Sequence, residues 1–191
     1  VYQPLPIDQE IAALIPCYTA TGDSTRVLTA SGLTLTLPVR PRAVLNRIAR
    51  RRATDLSALR HITSLKTQRS ILQPLPLAPH LLLIPVKVRT PRVTGDTCTG
   101  YINYYTVVGA KPCQDPPVHT MLTLTGGHTI GTMWTPVTIN RYLQLARLTA
   151  YTHTPQYNTL QEADTRYAPE LLGIAQRLAE VFRDILALKN H

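Results

Sequence analysis

The side chains in this sequence best suited to chemistry are guanidinium groups. Between Arg40 and His61 the run "RPRAVLNRIARRRATDLSALRH" holds seven arginines and one carboxylate, Asp55. An arginine fork keeps its charge at any physiological pH and matches phosphate oxygens two at a time. So many cations beside so little acid suit the binding of a polyanion better than the transfer of a proton. From Arg26 to Arg92 there are thirteen Lys or Arg and one acid, while the rest of the chain holds seven basic and ten acidic residues. A merely solvated face interleaves both signs; this one does not. The expected partner is therefore a nucleic acid, with a membrane surface second. Arg42, Arg47, Arg50, Arg51 and Arg52 form the expected centre of contact, extended by Arg60, Arg69, Arg89 and Arg92. Arg47 and Arg50 should project from a helix toward a groove. Arg89 and Arg92, on a loop, should act as phosphate clamps or as a minor-groove arm.

Catalytic and metal chemistry have no comparable signal. The eleven acids are scattered, and no G-x-S-x-G, HExxH or Walker lysine is present. Cys98, Cys113, His119 and His128 match no common zinc spacing. Gly126-Gly127-His128 reads as a hairpin turn rather than an anion-holding loop, because strand-like residues flank it. A binding protein without cofactor or metal is expected, not an enzyme. Three cysteines without a CxxC argue against a disulfide framework and for a reducing cytoplasm. No signal-peptide pattern opens the chain, and "LPLAPHLLLIPVKV" is too short and too interrupted to span a membrane.

The elements that must position the arginines follow from apolar spacing. Sixteen prolines, nine glycines and alternating threonines favour short strands over long helices. "RVLTASGLTLTLP" reads as strand, turn and strand. A helix follows from Pro41, with Val44, Leu45 and Ile48 inward and Arg42, Asn46, Arg47 and Arg50 outward. A second short helix starts after Asp55, with Leu59 and Ile62 as its apolar side. "HLLLIPVKV" reads as a strand interrupted at Pro85, "YINYYTVV" as another, and "KPCQDPP" as a loop. A strand then ends at Gly126-Gly127, a second follows, and a helix starts at Pro136 with Ile139, Leu143 and Ala146 as its stripe. A shift of 95 positions superimposes Gly32 on Gly127, Pro41 on Pro136, Ile48 on Leu143 and Arg52 on Arg147. That suggests a duplicated hairpin–helix unit, although so common a pattern also recurs by chance. A last amphipathic helix is expected from Pro169 to Lys189, carrying Leu171, Ala175, Leu178, Phe182 and Ile185.

The expected fold is α+β, a mostly antiparallel sheet built from hairpin–helix units with a C-terminal helix. Residues 1–151 form the basic domain. Residues 152–191 form a linker and a helix that packs on that domain or mediates oligomerisation.

Two comparisons bear on how a nucleic acid would be read. "LNRIARRRATDLSALRHIT" approaches helix-turn-helix spacing, but Ala53 stands where the turn usually has Gly, and Arg52 and Thr54 occupy normally apolar positions. A longer stretch, from "TRVLTASGLTLTLPVRPRAVLNRIARR" through "PLAPHLLLIPVKVRTPRVTGDTCTGYIN" to "LTGGHTIGTMWTPVTINRYLQLARL", resembles the competence transcription factor (ComK) family over about Ile15 to Tyr151. The likeness lies in the order of features: a strand pair, a basic helix, a proline-bearing strand, a cysteine with an aromatic strand, then a hairpin and helix. It implies a DNA-binding transcriptional activator, acting as a homo-oligomer on A/T-rich duplex DNA through the minor groove and controlled by an adaptor protein. An RNA-binding alternative would present Tyr101, Tyr104 and Tyr105 as one stacking platform.

Overall fold

The computed structural model describes residues 5–20, 22–68 and 71–153, and it is α+β with antiparallel sheets. A short 3-10 turn leads into β1 (Ile11–Thr19), followed by β2 (Gly22–Thr29), β3 (Thr34–Leu37), α1 (Pro41–Arg51) and α2 (Leu56–Thr67). Then come β4 (Leu75–Ala78), β5 (Leu81–Lys87) and β6 (Thr99–Asn103). A second 3-10 turn leads to β7 (Val107–Pro112), β8 (Thr120–Leu124), β9 (Thr129–Thr132) and α3 (Pro136–His153). Six strands form one sheet in the order β3-β2-β1-β6-β5-β4, and three form another in the order β7-β8-β9.

The larger sheet is buried on both faces. On one face Ile11, Leu14, Val27, Leu81 and Leu83 pack with Val44, Leu45 and Ile48 of α1 and Leu56 and Leu59 of α2. On the other, Ala13, Ile15, Leu28, Ile84 and Ile102 pack with Leu122, Leu124 and Ile130 of the smaller sheet and Ile139, Tyr142 and Ala146 of α3. Strand β1 lies at the centre, and each of its first six residues is buried. Such a strand shows no polar alternation, which is why "IAALIP" carries no strand signature of period two.

Local chemistry explains both helix starts on the basic side. Pro41 opens α1, where its missing N–H costs no hydrogen bond. Asp55 caps α2 by accepting from Ser57 N at 2.7 Å and Ala58 N at 3.3 Å. Between the helices Ala53 adopts φ 49°, a left-handed value that reverses the chain.

Four expectations need correction. Pro85 does not interrupt β5, because β4 pairs only as far as Leu83 and leaves that edge of Pro85 without a ladder. "YINYYTVV" is not one strand. It breaks at the turn Tyr104–Thr106, where the chain passes from one sheet to the other. Asn103 holds that break: its side-chain amide donates to Ile11 O and His80 O, each at 2.9 Å, and its carbonyl oxygen accepts from Leu82 N and Tyr105 N. Ile62 is 45% exposed, and α2 buries Leu56, Leu59 and Thr63 instead. Finally, α3 continues to His153, past the expected boundary at 151. The helix expected over Pro169–Lys189 lies outside the described residues.

The duplication is visible in the ladder. Thr25, Arg26, Val27 and Leu28 pair with Leu37, Thr36, Leu35 and Thr34, and the residues 95 positions later, Thr120 to Thr123, pair with Thr132, Gly131, Ile130 and Thr129. Thr25 Oγ1 donates to Val39 O at 2.6 Å; its counterpart Thr120 Oγ1 donates to Trp134 O at 2.7 Å. Even the register shift between Ile11 and Ala13 recurs between Val107 and Gly109, now 96 positions on. The two units meet turn to turn, where His128 Nε2 lies 3.1 Å from Thr29 O. A Cβ on Gly126 would stand 2.6 Å from Gly32 N and 2.8 Å from Ala30 O, whereas one on Gly127 would meet nothing within 4 Å. Both glycines have φ 77°. Gly127→Ala should therefore cost about 1 kcal/mol of backbone strain. Gly126→Ala should cost about 2 kcal/mol more from the backbone clash. Urea unfolding of the two variants compares them, and equal losses would contradict the turn-to-turn contact.

Candidate nucleic-acid interface

Burial of Val44, Leu45, Ile48 and Ala49 fixes the rotation of α1, so the residues between them must face out. Arg42, Asn46 and Arg50 are exposed and Arg47 is half-buried. Among the described residues no carboxylate pairs with Arg42 or Arg50.

The remaining arginines gather near two carboxylates. At the start of β1, buried Asp8 pairs through Oδ1 with Arg51 and through Oδ2 with Arg52 Nε at 2.5 Å. Arg51 also donates to Pro6 O at 3.1 Å. These two guanidinium groups remain partly exposed, at 41% and 42% of their side chains. One carboxylate cannot neutralise both, so the pair keeps a net positive charge.

At the other end of β1, Asp23 pairs with Arg89, and Arg40 Nε approaches it at 3.5 Å. Arg89 departs most from its expected role as a phosphate clamp. Its Nε donates to Thr97 O at 2.7 Å, its guanidinium sits 3.9 Å from the Tyr18 ring centre, and only 13% of its side chain is exposed. It fastens the loop between β5 and β6. Arg92 lies 4.3 Å from the centre of the same ring and is exposed. Asp96 anchors this loop by accepting from the Tyr18 hydroxyl, from Arg92 N at 3.0 Å and from Val93 N at 3.1 Å.

Arg60 joins the group through Tyr101. Burial is the largest influence on the Tyr101 hydroxyl and raises its pKa, opposed by the hydrogen-bonded Arg60 guanidinium and by the charge on Arg42. Arg42 and Arg60, on successive helices, therefore converge on one sheet residue. Arg69 lies outside the described residues.

The cations are divided by layer. Helices α1 and α2 cover one face of the larger sheet, and Lys87, in phase with Leu81 and Leu83, points to that same face. The opposite layer of β7–β9 and α3 carries only Lys111, Arg141 and Arg147. Arg26, in phase with Leu28, lies on that opposite side of the larger sheet. The sequence reading omitted Arg40, Lys87, Tyr18, Asp8 and Asp23. Arg40 and Lys87 were discoverable as members of the basic segment; the two carboxylates flank it in sequence, but nothing local assigns them partners.

The tyrosines proposed as an RNA-stacking platform are separated. Tyr101 packs on the helix side of the sheet, Tyr104 on the opposite core, and Tyr105 is half-exposed and edge-on to Tyr104. Among the described residues no three His, Cys, Asp or Glu side chains gather as a metal site would need, and no helix is long and apolar enough to cross a membrane.

Hydrogen bonds from Tyr18, chiefly, and from the Val93 and Arg92 amides hold Asp96 below the ordinary carboxylate range, although burial opposes them. A lowered folded-state pKa favours the anchored loop above the unfolded value, and the effect is lost as pH falls through the folded one. Tyr18→Phe should raise the Asp96 pKa, read from its carboxyl carbon by NMR, and the Arg92 and Val93 amide shifts should move with it. An Asp96 titration unchanged by Tyr18→Phe would exclude the hydroxyl as the main cause.

Comparison of the chain with protein-family models, with curated proteins and with solved structures returned no match.

Proposed function

We propose that the protein binds duplex DNA through the α1–α2 side of its larger sheet and regulates transcription, in the manner implied by its resemblance to the competence transcription factor family. The observation that carries this reading is the segregation of guanidinium groups onto one layer. Arg42, Arg47 and Arg50 project from α1, Arg60 from α2, and Arg92 from the loop beside them. Arg51 and Arg52 add positive charge that Asp8 only half cancels. In this reading the protein is a binder rather than an enzyme, and it works as an oligomer under an adaptor's control.

Arginine reads the negative potential of a narrow A/T minor groove better than lysine does, because its guanidinium is less strongly hydrated. The basic segment between Arg26 and Arg92 contains eleven arginines and two lysines, which suits that mode. Arg89 takes the role of a positioning residue here: it holds the loop from which Arg92 reaches out.

A helix-turn-helix regulator is the second reading. Among the described residues Arg40 to Gln68 form two helices and no strand, joined by a tight turn at Ala53. Against it, the second helix exposes Ile62 and Leu65 rather than a row of cations, so it is a poor recognition helix.

Replacing both Arg42 and Arg50 with Ala should weaken binding to A/T-rich duplex and lower the slope of log K against log salt by about two. The melting temperature should change little, since both side chains are exposed. Titrations against A/T-rich duplex, G/C-rich duplex and single-stranded RNA at two salt concentrations test the reading. An unchanged slope removes these arginines from the interface, and preference for single-stranded RNA overturns the proposal.

In the same assay Asp8→Asn should tighten duplex binding by releasing Arg51 and Arg52. Affinity equal to or below that of the unaltered chain would show that the two are not at the DNA surface.

A further inference from the structure

We infer that Cys17 and Cys98 form an oxidation site, at which a peroxide converts the two thiols to a disulfide across the seam between β1 and β6. The inference is independent of the DNA reading and comes from strand register. β1 and β6 pair through Ala13↔Ile102 and Leu14↔Tyr101. Three residues further along each strand, the same register sets Cys17 opposite Cys98. Both strands stay in the sheet over this stretch. β1 keeps β2 as far as Thr19↔Gly22, with Cys17 opposite Ser24. β6 keeps β5 through Lys87↔Thr99, and Val88 N donates to Cys98 O at 3.0 Å. Contacts also cross the seam on either side of the pair. A Cβ on Gly100 would stand 3.1 Å from Ile15 Cδ1 and 3.2 Å from Leu14 O, and beyond the cysteines the Tyr18 hydroxyl donates to Asp96.

The two thiols share a face. Cys17 is in phase with Ile15 and Cys98 with Ile102, and both isoleucines belong to the core against the smaller sheet. Backbone polarity then fixes the kind of pair. Pro16 sits opposite Thr25 of β2, and a proline inside a paired strand is tolerated where its nitrogen faces away from the ladder. That nitrogen faces β6, as does Leu14 O. Backbone directions alternate along a strand, so Cys17 turns its N–H and C=O to β2. Toward β6 it occupies a non-hydrogen-bonded position, where opposed Cα atoms stand about 4.5 Å apart, inside the range that a disulfide spans. Both thiols are free and half-buried, which leaves them open to a small oxidant. Cys98 Sγ donates to Asp96 O at 3.6 Å, a weak bond that oxidation gives up.

The chemistry is that of a thiol pair in a reducing compartment, where disulfides are transient. One sulfur, as thiolate, attacks a hydrogen peroxide oxygen; the O–O bond breaks, a sulfenic acid forms, and the departing hydroxide takes up a proton to leave as water. The second thiolate attacks the sulfenic sulfur, the S–S bond forms, and the sulfenic oxygen leaves as a second water. Two thiols are oxidised and one peroxide is reduced. The bond ties the base of the loop that carries Arg92 to the central strand.

The test treats the reduced, folded 191-residue chain with hydrogen peroxide and blocks remaining thiols with iodoacetamide. The monomer is digested with chymotrypsin, which cuts after Tyr101, Tyr104 and Tyr105 and so parts Cys98 from Cys113. Mass spectrometry should find the Cys17 fragment joined to the Cys98 fragment, two hydrogens lighter than the separate pair, and dithiothreitol should release them. In Cys17→Ser the sulfenic acid at Cys98 has no resolving thiol, so its capture by dimedone should rise about tenfold or more over the unaltered chain. Separate alkylation of Cys17 and Cys98 in the unaltered chain overturns the inference, and that result does not depend on the variant folding. So does a bond from either cysteine to Cys113, a linkage found only between chains, or dimedone capture indifferent to Cys17→Ser.

Discussion

A strand buried on both faces can offer no side to water, and β1 is such a strand. Ile11 and Leu14 face one core, Ala13 and Ile15 face the other, and the rest of the molecule is arranged to cover both. One cover is the helix pair α1–α2, and the other is the smaller sheet with α3. This division sorts the charge. The outer surface of the first cover is made from the most arginine-rich part of the sequence, and that of the second from a part with few cations. The polarity of the molecule follows from which segment protects which face of a single strand.

Two segments of the chain are also variants of one unit: β1–β3 with α1, and β7–β9 with α3. The same turn, ladder and helix start occur in each, yet their helices bury different positions. α1 turns Pro41, Val44, Leu45, Ile48 and Ala49 inward, while α3 turns Ile139, Tyr142 and Ala146 inward. A backbone plan of this kind constrains strand register more tightly than helix side chains, because a slip of one residue would exchange buried and exposed faces along the whole strand. The helix surfaces are not held in this way, and that of α1 is the basic one. The sheet edges differ too: β6 closes the outer edge of β1, while among the described residues no strand pairs with the corresponding edge of β7.

Carboxylates act mainly as fasteners. Asp8 and Asp23 each bind two arginines at opposite ends of β1, Asp55 caps α2, and Asp96 holds the loop that carries Arg92. Four acids used in this way order the basic surface without neutralising it. The Asp23–Arg89 pair is mostly buried, and among the described residues Asp23 Oδ2 and Arg89 Nη1 have no hydrogen-bond partner, although Arg40 Nε lies 3.5 Å from that Oδ2.

By itself the sequence determined what depends on neighbours within a few residues. The α+β class, the Pro41 and Pro136 helix starts, the Asp55 cap, the glycine turn at 126–127 and the 95-residue recurrence were all legible, because φ restriction, capping and alternation act locally. The outward set Arg42, Asn46 and Arg50 was legible for the same reason, as helical spacing assigns a face without knowing what lies opposite. Tertiary structure alone decided the rest. β1 hid in an apolar run whose two-sided burial erases periodicity, Pro85 fitted a strand because its neighbour stops short, and Ile62 stayed exposed because the buried stripe of α2 runs through Leu56, Leu59 and Thr63. Arg89 turned inward, and Arg51 and Arg52 found Asp8, through contacts spanning 66, 43 and 44 residues. Partners that far apart in the chain are set by how layers stack, and no local pattern encodes that.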